Sequence, residues 1–252
     1  MAGVQATHQP CESSAASMFG TLDALFAATV FFVGGHFLLS SQAIRDPAVK
    51  FLGAQGFTTV YSLAMTGALL WLVVAYGAAP PIPIWYPPIE LYWIPTVLNA
   101  LAAILVVAGV TTRSPTMVGG DRRAADLGPE DPAPGILRIT RHPFLWGASL
   151  WAVSHLCVNG DAASIVVFAG MLILSLGGMV HIDLKRQRQM GAGWGPIQLT
   201  TSLVPFAAMI AGRTKMDWKG LGLWRPVLGL AVYAAVMHLH PWLVGVSALP
   251  PH

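Results

Sequence analysis

The chain alternates long apolar stretches with short polar connectors, and the lengths of the stretches set the first expectation. Six runs are mostly apolar and near the length of a bilayer crossing: residues 20–43, 57–78, 93–111, 143–158, 162–182 and 226–246. A helix of about 20 apolar residues crosses the ~30 Å hydrocarbon layer, and a helix satisfies its own backbone hydrogen bonds where no water reaches. The pattern predicts an all-α polytopic membrane bundle of about six transmembrane helices. A further apolar stretch, 199–211, is too short to cross and is expected to be a re-entrant or interfacial segment.

Composition agrees with that pattern. Hydrophobic residues make up 55% of the 252 and charged residues only 10%, where a soluble domain would carry about 25% charged residues. The net charge of +3 is read as a topology signal, so no nucleic-acid partner is expected and the lipid bilayer is. All 14 Lys and Arg fall in three connectors, 44–56, 112–142 and 183–225, and none on the opposite side. By the positive-inside rule those connectors are cytoplasmic. Both termini are then expected to face away from the cytoplasm.

The connectors refine the organisation. Residues 1–17 form a polar tail, expected to be disordered, without the basic start that a signal peptide needs. Residues 18–252 are expected to form a single transmembrane domain. The loop 113–137 mixes Ser-Pro, Gly-Gly, Asp-Pro and Ala-Pro-Gly and is expected to be irregular and mobile. Prolines and aromatics at 79–92 suit an interfacial belt, and Asn159-Gly160-Asp161 suits a tight turn between two helices.

Several chemistries find no toolkit here. The chain lacks GxSxG, HExxH, a CxxC pair and a phosphate-binding loop. Carboxylates are nearly absent from the apolar runs, and no inverted repeat is visible, which argues against a proton-driven transporter.

What remains is histidine and arginine at membrane depth, where polar side chains are costly and mark function by default. Arg138, Arg141 and His142, followed by Pro143 at a first helical turn, are expected to cluster at the cytoplasmic surface. Such a cluster suits an anionic head group, a haem propionate or a nucleotide-like cofactor. His36 lies within the first run beside Gly34 and Gly35, whose missing side chains leave room for a flat ligand. His155 lies deep in the fourth. Thirteen residues separate it from His142, about 140° around a helix and ~19.5 Å along it, so the two do not share a site directly. Each buried histidine also has a plainer role open to it, a neutral hydrogen bond to a neighbouring helix. His181 and Asp183 are expected to pair with the cations of Lys185-Arg186-Gln187-Arg188. His238 and His240, two residues apart, lie on different helix faces and are not expected to share a metal.

These residues resemble a known family. Gly34-Gly35-His36-Phe37-Leu38-Leu39-Ser40-Ser41, then Arg141-His142-Pro143 through Trp146-Gly147, Trp151, His155 and Asn159-Gly160-Asp161, are similar to the NnrU family. So are Asp183, Gly193-Trp194, Thr201-Ser202, Pro205-Phe206 and the closing His240-Pro241-Trp242. The resemblance implies an integral membrane protein associated with denitrification and nitric oxide metabolism. It also implies kinship with 15-cis-zeta-carotene isomerase, which holds a b-type haem between two histidines. The matching positions here, His36 and His155, are the metal-ligand expectation, with haem b as cofactor and Arg138, Arg141 and His142 as further cofactor-binding candidates. No catalytic residue is assigned. In the isomerase a cysteine three residues before the downstream histidine is thought to exchange as a ligand; here that residue is Ala152. The resemblance thus implies either a haem-dependent isomerase of an apolar polyene or a non-catalytic accessory of the denitrification machinery. The Arg-His-Pro opening also looks like that of membrane methyltransferases, but their downstream glutamates are missing here, since Glu130 is the last glutamate.

Overall fold

A computed structural model describes residues 20–117 and 132–248. The tail expected at 1–17 and the middle of the loop expected at 113–137 lie outside the described residues. The chain divides into two compact units, one ending at Ile82 and the other starting at Pro83.

The first unit is a helical hairpin of α1 (Leu22–Ser40) and α2 (Gln42–Ala78). The Thr21 hydroxyl caps α1 by accepting from the Ala24 amide, which satisfies one of the amides a helix start leaves open. Leu25, Ala28 and Phe32 of α1 and Met65, Ala68 and Leu72 of α2 are buried at helical spacing. The connector expected at 44–56 is helical almost throughout. It is set apart from the span by a sharp bend at Gly53 (φ 73°, ψ 164°), a backbone conformation open to glycine and strained for other residues.

The second unit is ordered around α3 (Ile94–Thr111). Helix α4 (Pro143–Leu156) and helix α9 (Trp224–Val244) both pack on α3, and α5 (Ala162–Met190) packs on α4. The α3–α4 register follows from three close approaches. A Cβ on Gly109 would come within 2.8 Å of the Phe144 amide, and one on Gly147 within 2.8 Å of the Ala102 carbonyl. Near the other end the Ser154 hydroxyl donates to Asn99 Oδ1 at 2.8 Å. The pairs run in opposite directions, so the helices are antiparallel, with glycines where the backbones meet most closely.

Among the described residues, five stretches are long and apolar enough to cross a membrane: Leu22–Ser40, Gln42–Ala78, Ile89–Thr111, Ala162–Thr200 and Trp218–Val244. Their outward faces are apolar and uncovered, as at Leu63 (70% exposed) and Trp242 (85%), the pattern expected where lipid is the solvent. The protein is an all-α integral membrane protein. The run expected at 143–158 forms α4, which has only 14 residues and rises ~21 Å. It nevertheless links both ends of α3. Its exit turn is tied to the segment entering α3, with the Ile84 and Trp85 amides donating to the Gly160 carbonyl at 2.8 and 3.1 Å.

One length departs from the sequence expectation. Helix α5 continues past 182 to Met190 because no breaker intervenes. Lys185 to Gln189 are good helix formers, and the helix stops only at Gly191, with φ 52°. The segment 199–211 does not cross: α6 (Trp194–Thr200) and a single turn, α7 (Ala207–Ile210), flank an irregular stretch. A last short turn, α8 (Trp218–Leu221), precedes α9.

Gly147→Leu is expected to force α3 and α4 apart and lower stability by roughly 1–3 kcal/mol, the usual range for overpacking. Gly34→Ala, with nothing within 4 Å of its added Cβ, is expected to leave stability near wild type. Thermal unfolding in detergent compares the two.

Candidate functional site

Three groupings of polar side chains lie on these helices. The first gathers where α4 begins. His142 is the N-cap of α4, and its side chain is only 1% exposed. Its Nε2 lies 2.7 Å from Asp183 Oδ1, and Arg141 Nε donates to Asp183 Oδ2 at 2.8 Å. A carboxylate only accepts, so Nε2 of His142 carries the proton. Arg141 also reaches the Thr201 hydroxyl at 3.3 Å and lies over the Trp194 ring. Backbone bonds complete the knot: the Arg141 amide donates to the Ser202 carbonyl at 3.0 Å and the Phe206 amide to the Ile139 carbonyl at 2.8 Å. Thr140 and Trp146 both donate to the Leu203 carbonyl at 2.9 Å. These bonds hold Phe206 at φ 65°, a conformation costing about 1–2 kcal/mol for a residue with a side chain.

This corrects the expectation for Asp183. Its carboxylate takes Arg141 and His142 from across the bundle rather than only local cations. The reason is the extra length of α5. Because the helix runs on, Asp183 falls on the same face as the buried Met179 and Arg186, turned toward α4. Continuing the helical period through Gln189 in the sequence would have found it. Arg138 stands somewhat apart, donating to the carbonyls of Ala133 at 3.2 Å and Lys215 at 3.4 Å. Of the three residues expected to receive a cofactor together, Arg141 and His142 are brought together and committed to Asp183. Nearby, the Asp217 carboxylate accepts from the amides of Gly220 and Gly135, both at 2.8 Å. Those bonds, the Gly220 amide foremost, hold its carboxyl below the usual carboxylate range.

The second grouping surrounds His155. Its Nδ1 lies 2.8 Å from the Trp151 carbonyl one turn back. A carbonyl only accepts, so Nδ1 carries the proton and Nε2 presents a lone pair, the tautomer a metal ligand needs. The ring stacks on Phe168 at 4.5 Å between centroids and lies 5.0 Å from Trp151, which meets Phe168 edge-on at 5.2 Å. Trp151 is 37% exposed on the outer face of α4. Ser154 is fully buried and bridges to Asn99 of α3. Ala152 is also fully buried, with no ligating atom to offer.

The third lies in the first unit. His36 repeats the arrangement, its Nδ1 2.7 Å from the Phe32 carbonyl. Phe32 and Tyr61 meet the imidazole edge-on at 4.6 and 5.9 Å. The gap expected beside Gly35 is taken by Met65, whose Cε would lie 2.9 Å from an added Cβ, whereas Gly34 faces open space. Tyr61 was not singled out from the sequence, where a lone tyrosine in an apolar run carries no signal. Both histidines fit a haem iron in protonation and in aromatic surroundings. No cluster of three or more His, Cys, Asp or Glu able to hold a bare metal ion occurs among the described residues.

Fold and side chains together define a polytopic α-helical membrane protein with imidazole acceptors set among aromatic rings. Residues 24–248 match the family described as NnrU protein, and the chain belongs to that family. Two curated relatives are chloroplastic 15-cis-zeta-carotene isomerases. The one from Zea mays is 33% identical over 82 residues, 32% of this chain and 22% of the relative. The one from Arabidopsis thaliana is 29% identical over 116 residues, 45% of this chain and 32% of the relative. The alignments thus span a third or less of those relatives. No solved structure matches.

Asp183→Asn is expected to leave the Arg141 charge uncompensated, a change that costs about 3–5 kcal/mol when a buried pair is broken. Asp46→Asn removes only an exposed partner of Arg45 at 3.9 Å and is expected to have little effect. The fraction of each variant surviving detergent extraction as monodisperse protein separates the two outcomes.

Proposed function

We propose that this protein is a membrane-embedded isomerase that turns a cis double bond of an apolar polyene to trans. The observation that carries this reading is the similarity to two 15-cis-zeta-carotene isomerases at 33% and 29% identity. A polyene partitions into lipid and needs a site reached from the membrane. The partly exposed Trp151 and the stacked His155 and Phe168 offer an aromatic wall to hold one. Rotation about a double bond needs no proton shuttle and no water, which suits a site with so few carboxylates.

Haem b is the proposed cofactor, with His155 as a ligand; the family resemblance gives a ligand role to His36 as well. When bound, haem supplies one-electron chemistry that the side chains themselves lack. The protein residues do the rest. The Trp151 carbonyl fixes the His155 tautomer, Phe168 fixes the plane of its ring, and Ser154 ties this turn of α4 to α3. The confinement of Lys and Arg to three connectors supports an orientation with both termini away from the cytoplasm.

Ala152 favours a second reading. With a methyl group where the related isomerase has a cysteine, the protein would serve as a non-catalytic membrane accessory in nitric oxide metabolism.

Expression in a carotenoid-producing strain that lacks this isomerisation step decides between the readings. Conversion of 15-cis-zeta-carotene to the 15-trans form is expected, with loss in His155→Ala and retention in His181→Ala. Accumulation of the 15-cis isomer alongside well-folded wild-type protein would leave the accessory reading standing.

A further inference from the structure

His155 has another imidazole in its own unit. Helix α9 runs antiparallel to α3: Arg225 Nε donates to the Thr111 hydroxyl at 3.0 Å, and a Cβ on Gly229 would come 2.6 Å from Ile104 Cα. Continuing that register brings His240 to the start of α3, near Trp93 and Ile94. The Ser154–Asn99 bond places His155 only about one turn away along the same helix. Helices α4 and α9 therefore carry their histidines to the same end of α3.

His240 also lies on the inward face of α9. Along this helix Gly229 is buried and Arg225, Pro226, Tyr233, Met237 and His240 are half-buried, while His238 is exposed. That spacing of three and four is one helical stripe. Its ring is fixed as the other two are: Nδ1 lies 2.8 Å from the Val246 carbonyl. That bond puts the proton on Nδ1 and leaves Nε2 as a free acceptor. The chain returns to supply this carbonyl because Gly245 ends α9 in the left-handed conformation, at φ 79°.

We propose that His240 is an additional ligand position for the iron held by His155, able to complete a bis-imidazole coordination from within the same unit. The inference rests on the haem reading of His155. It assigns the His240-Pro241-Trp242 stretch a ligating role with a partner other than His238. A metal shared by His238 and His240 is excluded by their opposite faces; one shared by His155 and His240 is not.

The test is the spin state of iron in full-length protein purified from haem-replete cells, read by absorption and electron paramagnetic resonance. Wild-type protein and His36→Ala are both expected to be six-coordinate and low-spin. His36→Ala/His240→Ala is expected to become five-coordinate and high-spin. His36→Ala/His240→Met is expected to regain the low-spin state at a higher midpoint potential, as thioether ligation gives, which separates a ligand role from a folding role. His36→Ala/His238→Ala is expected to match His36→Ala. A high-spin spectrum in His36→Ala alone would overturn the role of His240. Absence of any b-type spectrum in the wild type would overturn the haem reading beneath it.

Discussion

Polar groups at membrane depth have no water to bond, so each must find a partner within the protein, and that constraint organises both units. The solution used most often is local. Thr29, Thr58, Thr111 and Ser149 each donate a hydroxyl proton to the carbonyl four residues back, a bond that helices tolerate with slight bending. His36 and His155 use the same device through Nδ1. For a hydroxyl the bond merely removes a cost. For an imidazole it also chooses the tautomer, and so turns a satisfied core residue into one with a lone pair to spare. Among the described residues, Trp71 Nε1 and Thr112 Oγ1 are buried without a partner.

Where charge is involved, local bonding does not suffice and the protein bonds across helices. Arg141 and His142 close on Asp183, and the Arg141 amide and Thr140 reach the 201–206 stretch. This knot fixes where α4 begins. The Ser154–Asn99 bond and the Gly160 turn fix where it ends. Between those anchors a helix of only 14 residues is held against α3 along its length, and His155 inherits its position from both. The Arg-His-Pro motif and the deep histidine are thus two ends of one positioning device, although they share no ligand.

Much of this was legible in the sequence because it depends on local pattern. Apolar run lengths gave the all-α membrane class, and the Asn-Gly-Asp turn and the Pro143 helix start stand where expected. The tertiary pairings were not legible. Asp183 sits among Lys and Arg in the chain, so its bond to Arg141 is invisible until α5 is known to continue past 182. The bend at Gly53 depends on a backbone angle that glycine permits but does not require. The spacing of His240 from His238 bears only on a metal shared by those two, while its approach to His155 depends on how two helices register on a third.

The central claim is that His155, with Nδ1 bound to the Trp151 carbonyl, offers Nε2 to a haem iron. The reduced-minus-oxidised absorption spectrum of purified protein tests it most directly. The account predicts b-type bands in the wild type that disappear in His155→Ala. Wild-type protein without such bands, or a His155→Ala spectrum indistinguishable from wild type, would contradict it.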